Sequence, residues 1–245
     1  MKKLLLLLVL STLFLGCAPP SKDSEKLLSD SAKKANSIES FAVEYRRVVV
    51  SYANPNGTIH MIPETVITKY KKGDKSRWDT RDWLNNSARL YKLKENYYSC
   101  LLNKTWACAK TEPSRMQEFL GFGVPDPEAS VLRAVSEGAL VLGEIKNETV
   151  YGRASNCLAI EIHPDRISGL DRSEFLLGSV EDSSGMNGLK AWECLDNETG
   201  LKTQVVLNYK GEVDGEQRTV EVNLKMSGFD SNPKLEDSMF ELPGK

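Results

Sequence analysis

Five cysteines are the residues whose chemistry in this chain depends most on their surroundings, because a thiol can form a disulfide, hold a metal or carry a lipid. Four of them lie well inside the 245-residue chain, at Cys100, Cys108, Cys157 and Cys194. Four cysteines allow three pairings. We favour Cys100 with Cys108 and Cys157 with Cys194, because each pair then joins segments that are expected to be neighbouring strands.

The fifth thiol, Cys17, ends a segment that has the parts of an export signal. Lys2 and Lys3 give a positive start, Leu4 to Leu15 an apolar run, and Gly16 a small residue before a cleavage point. At about 1.5 Å per residue the run covers about 18 Å, which is too short for a bilayer core of about 30 Å. We therefore expect residues 1–16 to be a signal peptide.

The Leu-Gly-Cys end of this segment resembles the lipobox of prokaryotic lipoproteins, whose cysteine carries diacylglycerol and becomes the mature N-terminus. The segment departs from the usual pattern at Phe14, where Leu is common, and at Leu15, where a small residue is common. The alternative is an ordinary secretory signal with an incidental cysteine. With a lipid at Cys17, the protein is anchored to the extracytoplasmic face of the cell membrane, and residues 18–23 form a polar tether.

Charge and composition exclude several partners. The chain has 32 basic and 34 acidic residues that are well mixed, so nucleic acid is not an expected partner. No polybasic segment adjoins Cys17, and membrane retention would come from acyl chains alone. Because there is no C-x-x-C motif and the only histidines are His60 and His163, we expect no metal and no cofactor.

Two acidic pairs, Asp79 with Asp82 and Asp165 with Asp171, have the residue types for acid–base chemistry. Nothing else in the chain supports a reaction, since G-x-S-x-G, P-loop and H-E-x-x-H motifs are absent from the sequence. Charged residues in turns and loops are usually solvated. We therefore expect a protein that is not an enzyme and has no catalytic residues.

Aromatic residues and sequons form the two remaining groups of candidate sites. Aromatic residues on the expected strands could line a common concave face or simply pack the core; they are Tyr45, Trp78, Tyr91, Trp106 and Trp192. Asn-x-Ser/Thr sequons in expected turns are candidate glycosylation sites in a host that glycosylates exported proteins; they are Asn56, Asn85, Asn103, Asn147 and Asn197.

One domain over residues 24–245 must position all of these side chains. Ser24 is expected to cap a helix that ends near Ser37, with apolar residues at three- and four-residue intervals. From Phe41 the apolar period becomes two, which predicts about six strands with a bulge near Arg46 and another or an edge position at Pro63.

Helical spacing then interrupts the strand pattern, over Ser114 to Leu120 and Pro127 to Ala139. About six more strands are expected after this insert, including a short one over Thr149 to Arg153. A polar excursion from Pro164 to Gly188 is long for a loop in a compact domain. The pattern predicts a mainly β, α+β fold with an antiparallel sheet of about 10–12 strands.

Several segments together resemble the LolA/LolB-like lipoprotein-carrier superfamily, which also includes periplasmic sensors of the RseB kind. They are the helix leading into SIESFAVEYRRVVV, the segments YKKGDKSRWD and RLYKLKENYYSC, the hairpin AWECLDNETGLKTQVV and the ending MFELPGK. The resemblance implies a strongly curved half-barrel whose open side is covered by the N-terminal and inserted helices, around an apolar cavity. It implies no catalytic residues.

The resemblance leaves two functions open. One is a membrane-anchored extracytoplasmic lipoprotein of a prokaryote, bacterial or archaeal, that binds a lipid or the acyl chains of a lipoprotein cargo in its cavity. The other is an envelope sensor or protein-interaction module of the RseB kind that carries no small-molecule ligand.

Overall fold

The computed structural model describes residues 22–53, 59–112, 135–163, 187–213 and 216–243. They form one α-helix, eleven strands and a short 3-10 helix at Asp237–Phe240. The helix, α1, covers Lys22–Ser37. The strands are β1 Ser40–Ala53, β2 Ile59–Lys72, β3 Lys75–Arg81, β4 Ser87–Leu93, β5 Asn96–Asn103, β6 Thr105–Thr111, β7 Leu140–Val150, β8 Arg153–Ile162, β9 Asn187–Asp196, β10 Lys202–Val213 and β11 Glu216–Asp230.

All eleven strands belong to one antiparallel sheet in the order β6-β5-β4-β3-β2-β1-β11-β10-β9-β8-β7. Two meanders, β1 to β6 and β7 to β11, are joined by the pairing of the long strands β1 and β11. The predicted mainly β fold, the N-terminal helix and the strand number are therefore confirmed. The short strand expected over Thr149 to Arg153 is wrong, because Tyr151 and Gly152 form the β7–β8 turn with φ values of 53° and 75°.

The predicted strong curvature is wrong, since the sheet is not strongly curled. Sharp curvature requires repeated bulges, and the long ladders here have few: β10 pairs with β11 over ten residues without a register shift. The helices expected over Ser114–Leu120 and Pro127–Ala139 lie outside the described residues, except for residues 135–139. In that remnant two helical residues precede a turn at Gly138, so the described part contains no inserted helix over the sheet.

Two irregularities that the sequence predicts are present near the middle of β1. The register with β11 shifts between Glu44 and Tyr45, and the register with β2 shifts between Arg47 and Val49. The second shift places Pro63 in the bulged part of β2, since Arg47 pairs with Thr65 and Val49 with Ile62. A proline is tolerated inside a sheet at such a bulge because its missing N–H is not needed for the ladder.

The face of the sheet that contacts α1, here called the inner face, carries the main core. Leu27 and Leu28 of α1 pack against a buried cluster from β7 to β11. Ala35 and Ile38 pack against a second cluster that reaches from β10 through β1 to β4. The predicted amphipathic helix is thus core-facing. No helix in the described residues is both long enough and apolar enough to span a bilayer.

Polar contacts position the two ends of α1. Ser24 donates a hydrogen bond from Oγ to the carbonyl of Gly143 on β7, at 2.8 Å. Near the other end, Lys34 Nζ donates to the carbonyl of Asn197 in the β9–β10 turn, at 2.8 Å. Gly200 of the same turn lies directly beneath the backbone of α1 and has φ +71°. The helix therefore crosses the inner face from the edge strand β7 toward the middle of the sheet.

Both favoured disulfides are present. Cys100 and Cys108 join β5 to β6, and Cys157 and Cys194 join β8 to β9. Each pair consists of directly opposed residues of neighbouring antiparallel strands, as the sequence predicts. Two disulfides indicate an oxidising and therefore extracytoplasmic compartment.

The two disulfides are expected to differ in their effect on stability. Sequence separations of 37 and 8 residues imply that replacing Cys157 and Cys194 with alanine lowers the free energy of unfolding by about 4 kcal/mol, against about 2.5 kcal/mol for Cys100 and Cys108. Denaturant unfolding of the two double variants checks the order. A larger decrease in the free energy of unfolding on removal of the Cys100–Cys108 disulfide would contradict the expected order.

Candidate ligand-binding face

The five aromatic candidates lie on both faces of the sheet. Tyr45 and Trp78 are on the inner face, in the cluster that Ala35 and Ile38 of α1 contact. The other three lie on the opposite, outer face: Tyr91, Trp106 and Trp192. Trp192 packs against the Cys157–Cys194 disulfide there.

Strand alternation explains this division. Trp78 pairs with Leu90 across β3 and β4, so both side chains point to the inner face. Tyr91 is the next residue and points to the outer face. The structure therefore brings together only two of the five aromatic candidates, and a ligand-contacting role for any of them remains a prediction.

The inner-face cluster is closely buried where β1 to β4 meet. Phe41 is 1% exposed, Ile67 and Leu90 are 0%, and Trp78 is 2% exposed. Tyr45 completes this group, and burial, together with the negative charge of Glu193, raises the pKa of its hydroxyl. The aromatic and aliphatic surfaces of these residues form an apolar floor on the inner face.

Lys69 lies within this floor, at a position that strand alternation assigns to the inner face. It pairs with Trp78 across β2 and β3 and with Val43 across β1 and β2. Its Nζ is 5.3 Å from the ring centroid of Trp78 and 5.5 Å from that of Phe41. Contacts of this length are cation–π interactions.

The ammonium of Lys69 is surrounded by like charges. Burial, together with the positive charges of Lys71, Lys92 and Lys202, lowers the pKa of Lys69 to about 8. Burial and Lys92 also lower the pKa of Lys71, whose Nζ donates to the carbonyl of Asn36 at 2.9 Å. Sequence analysis missed these lysines; their spacing of two residues from Ile67 along β2 identifies them only once Ile67 is known to face inward.

A carboxylate on the same face forms an ion pair with a different lysine. Glu193 of β9 is 5% exposed and faces inward, opposite Leu158 and Val205. Its Oε1 lies 3.2 Å from Nζ of Lys202 on the neighbouring strand. This pair is locally neutral, so it leaves the charge of Lys69 uncompensated.

A pocket of about 290 Å³ lies on the outer face, over β2 to β4. Asp79 is in its lining, and its carboxylate accepts a hydrogen bond from Nε of Arg77 at 2.7 Å. The guanidinium of Arg89 stacks 4.2 Å from the ring centroid of Trp106 at the same place. Ion pairing and stacking hold these side chains, which makes the pocket a polar surface without a free acid or base among its described residues.

The acidic pairs do not form a reaction centre in the described residues. Asp82 stabilises the β3–β4 turn, because its carboxylate accepts hydrogen bonds from the backbone N–H groups of Leu84 and Asn86 at 2.9 and 2.8 Å. Asp82 and Asp79 therefore bind different groups, since the carboxylate of Asp79 forms an ion pair with Arg77. Asp165 and Asp171 lie outside the described residues.

Asp196, at the β9–β10 turn, is the most strongly bound carboxylate of the described residues. It accepts hydrogen bonds from Nε and Nη2 of Arg153 at 2.6 and 3.0 Å, and from N–H and Oγ1 of Thr199 at 2.7 Å each. Burial works against ionisation, but these donors and the charge of Arg153 hold the pKa of Asp196 below its ordinary value. The turn beneath α1 is therefore stabilised by an ionised carboxylate.

Replacing Asp196 with asparagine is expected to lower the free energy of unfolding by about 3 kcal/mol near pH 7. Because the folded-state pKa is depressed, this stabilisation is present above the unfolded value of about 4 and is lost as pH falls through the folded value. The variant should therefore unfold with a weaker pH dependence below about pH 4. Glu198→Gln is the control, because Glu198 is 88% exposed and its ion pair with Arg153 is long, at 3.7 Å. An equal decrease in the free energy of unfolding of both variants would contradict the stabilising role of Asp196.

The remaining candidates from the sequence are the sequons, Cys17, the polar excursion and a metal site at the cysteines. Four sequon asparagines are described and exposed: Asn85, Asn103, Asn147 and Asn197. Asn56 and Cys17 lie outside the described residues, as does most of the polar excursion from Pro164 to Gly188. Glu148 approaches Cys157 and Cys194, but those sulfurs form a disulfide and offer no thiolate to a metal.

Comparison with known proteins gives structural matches only. No protein-family model matches the chain, and no curated protein matches its sequence. A DUF1329 family protein from Desulfovibrio piger matches with a TM-score of 0.39 and 11% identity, over 91% of this chain and 98% of that one. A LolA superfamily protein from Nitrosomonas europaea matches with a TM-score of 0.36 and 13% identity, over 89% and 97% of the two chains.

The expected structural resemblance to LolA-like proteins is confirmed. A chain of the Pseudomonas aeruginosa MucA/MucB complex also matches, with a TM-score of 0.36 and 11% identity, over 89% of this chain and 60% of that one. At these identities and TM-scores, the LolA-like match carries no argument about function. The function is therefore argued from the residues of the chain itself.

Proposed function

We propose that this chain is a membrane-anchored extracytoplasmic lipoprotein that binds a hydrophobic ligand, a lipid or the acyl chains of a lipoprotein, on the inner face of its sheet. The observation that carries the proposal is the extent of the apolar inner face. Its two buried clusters together extend from β4 to β7, and α1 is the one helix described in full that packs on them, beside Val135 and Ala139 ahead of β7. A face of this size is more than one helix needs for its own packing.

The dimensions of the sheet and of α1 show that the helix covers only part of the inner face. Ten spacings between eleven strands make the sheet about 48 Å wide, whereas a 16-residue helix is about 24 Å long and about 10 Å across. The cluster of Trp78, Ile67 and Leu90 lies on the side of the sheet away from the β7 end of α1. Removal of acyl surface from water contributes about 0.8 kcal/mol per CH₂ group, without any directional contact. Such binding needs no catalytic residue.

The inner face is closed over these residues in the structure, so ligand entry requires α1 to move. Polar contacts of Ser24, Lys34 and Lys71 with neighbouring carbonyls are among those that position the helix. Movement of α1 would not require any strand to unpair, because α1 is not part of the sheet ladders. The disulfides on β5–β6 and β8–β9 stiffen the sheet independently of α1.

Attachment through Cys17 is the second part of the proposal. Its support is the apolar run of residues 4–15 followed by Gly16. Radiolabelled fatty acid should be incorporated into the wild-type chain and not into a Cys17→Ser variant. Incorporation that persists in the variant would remove the anchor from the proposal without affecting ligand binding.

Lipid extraction and mass spectrometry of the purified chain test the binding function. Acyl species beyond the covalent anchor, at about one per chain, are the expected result. Loss of these species in Trp78→Ala, with retention in the exposed control Trp83→Ala, would locate them on the inner face. A chain that is free of lipid, and stays free when amphiphiles are added, would overturn the proposal.

An interaction module without a small-molecule ligand is the second candidate, and one observation favours it. Seven exposed apolar side chains lie at or near the β1–β2, β3–β4 and β5–β6 turns, which share one end of the sheet: Tyr52, Ile59, Met61, Trp83, Leu84, Leu101 and Leu102. Exposed apolar surface of this kind is typical of protein contact sites. A ligand-free inner face together with a tight complex formed through this end would support this candidate.

A further inference from the structure

Three lysines converge on one small residue of the inner face. Ser76 of β3 pairs with Lys71 on one side and with Lys92 on the other. Lys69 lies two residues before Lys71 on the same strand and therefore points to the same face. Ser76 is small and 8% exposed, so three long cationic side chains surround a short side chain that carries a hydroxyl.

Among the described residues, no carboxylate neutralises the positive charge of Lys69 and Lys92, and Lys71 donates only to backbone carbonyls of α1. No carboxylate in the described ranges forms an ion pair with Lys69 or Lys92, whereas Lys202 is paired with Glu193. The Ser76 hydroxyl has no hydrogen-bond partner in the described part of the chain either. Like charges gathered at a partly buried site cost free energy unless an anion offsets them.

Aromatic rings border the same lysines. Lys69 contacts Phe41 and Trp78, and the Nζ of Lys92 lies 5.9 Å from the ring centroid of Tyr97. A ligand with an acidic group among the ammoniums would have its remaining surface next to these rings. This combination of ammonium groups and aromatic rings fits an amphiphile better than a free anion.

We propose that Lys69, Lys71, Lys92 and Ser76 bind the acidic head group of an amphiphile, a phosphodiester or a carboxylate, while its apolar tail lies along the cluster of Trp78, Ile67 and Leu90. This inference rests on the proposed function and names the class of its ligand. The ammoniums and the Ser76 hydroxyl donate hydrogen bonds to the acidic oxygens. Charge-assisted hydrogen bonds of this kind are stronger than neutral ones.

Three probes separate the contributions of head group and tail. Dihexanoyl phosphatidylglycerol carries a permanent negative charge, dihexanoyl phosphatidylcholine has the same tails with no net charge, and dimethyl phosphate is the charged group alone. Titration calorimetry with the mature chain, below the micelle concentration, should show phosphatidylglycerol binding about tenfold or more tightly than the other two. Lys69→Met should lose this preference, and the exposed control Lys190→Met should keep it.

The outcomes are distinguishable. Equal binding of both lipids by the wild-type chain would overturn the acidic head group and leave the proposed function intact. Dimethyl phosphate binding as tightly as phosphatidylglycerol would overturn the tail. Failure of both lipids to bind would overturn the proposed function as well. Lys69→Met is expected to fold, because burial opposes the charge that it removes, and thermal unfolding checks this.

The pH dependence gives a second readout that a purely structural lysine would not show. Lys69 is faced by Tyr45 of β1, Lys71 of β2, Lys92 of β4, and the Glu193–Lys202 pair of β9 and β10. With a Lys69 pKa of about 8, affinity for phosphatidylglycerol should fall as pH rises from 7 to 9, and binding should take up protons in that range. Lys69→Met should show a flatter profile. A wild-type affinity that is independent of pH would contradict the role of Lys69.

Discussion

Replacing Gly200 with alanine is expected to lower the free energy of unfolding by about 4 kcal/mol and to detach α1 from the inner face. A Cβ at Gly200 would lie 2.1 Å from the carbonyl oxygen of Ser31 and 2.8 Å from its carbonyl carbon. These are backbone atoms of a helix, so the clash cannot be relieved by a rotamer change. The positive φ of +71° adds strain of its own.

Gly73→Ala is the matched control for this prediction. Gly73 also has a positive φ, +57°, but a Cβ there would meet nothing within 4 Å. Its cost should be limited to backbone strain of about 1 kcal/mol. Denaturant unfolding measures both variants, and binding of an apolar dye reports exposure of the inner face. Similar losses in the two variants, with no dye binding by Gly200→Ala, would show that contact with α1 is not what Gly200 provides.

Replacing Trp78 with alanine is expected to cost about 3–5 kcal/mol, because it removes the largest ring of the inner-face cluster and leaves a cavity. Trp78 is 2% exposed and lies among Ile67, Leu90 and the ammonium of Lys69. The same substitution should weaken ligand binding, since the ring is part of the apolar floor. Chemical unfolding and lipid titration measure the two effects on one preparation.

Trp83→Ala provides the comparison for Trp78. Trp83 lies in the β3–β4 turn, five residues further along the chain, and is 58% exposed. Its replacement should change the free energy of unfolding by no more than about 0.5 kcal/mol. If Trp78→Ala were equally mild, the inner-face cluster would be too loosely packed to form the apolar floor that the proposed function requires.

Local patterns were sufficient to predict much of the fold. The intervals of Leu27, Leu28 and Ala35 identified α1 and its core-facing side, and the alternation around Phe41 identified β1. The disulfide pairings followed from the expectation that the cysteines lie on neighbouring strands. These features depend on residues that are close in sequence or on one hairpin, where periodicity and turn chemistry carry the information.

The division of the aromatic residues between two faces could not be read in the same way. Whether Trp78 and Tyr91 share a face depends on the register of the β3–β4 hairpin, and a shift of one residue reverses the answer. The pairing of β1 with β11 joins residues about 180 positions apart and leaves no local signal. The curvature of the sheet depends on all of its registers together, which explains why the expected half-barrel was wrong.

The lysines of the inner face were overlooked for a different reason. Charged residues on strands are usually solvated, and the sequence alone assigns Lys69 to neither face until the phase of β2 is known from Thr65 and Ile67. Once that phase is known, a lysine in the apolar register is unusual, which makes it a candidate for functional tests. Such residues are worth identifying in any strand whose buried face has been assigned.

Native mass spectrometry of the chain extracted from its membrane tests the central claim most directly, because it counts ligands per molecule. The account predicts one bound acyl-containing molecule per chain in addition to any lipid on Cys17, and its loss in Trp78→Ala but not in Trp83→Ala. A single mass corresponding to the chain with its anchor alone, unchanged after incubation with dihexanoyl phosphatidylglycerol or phosphatidylcholine, would contradict it.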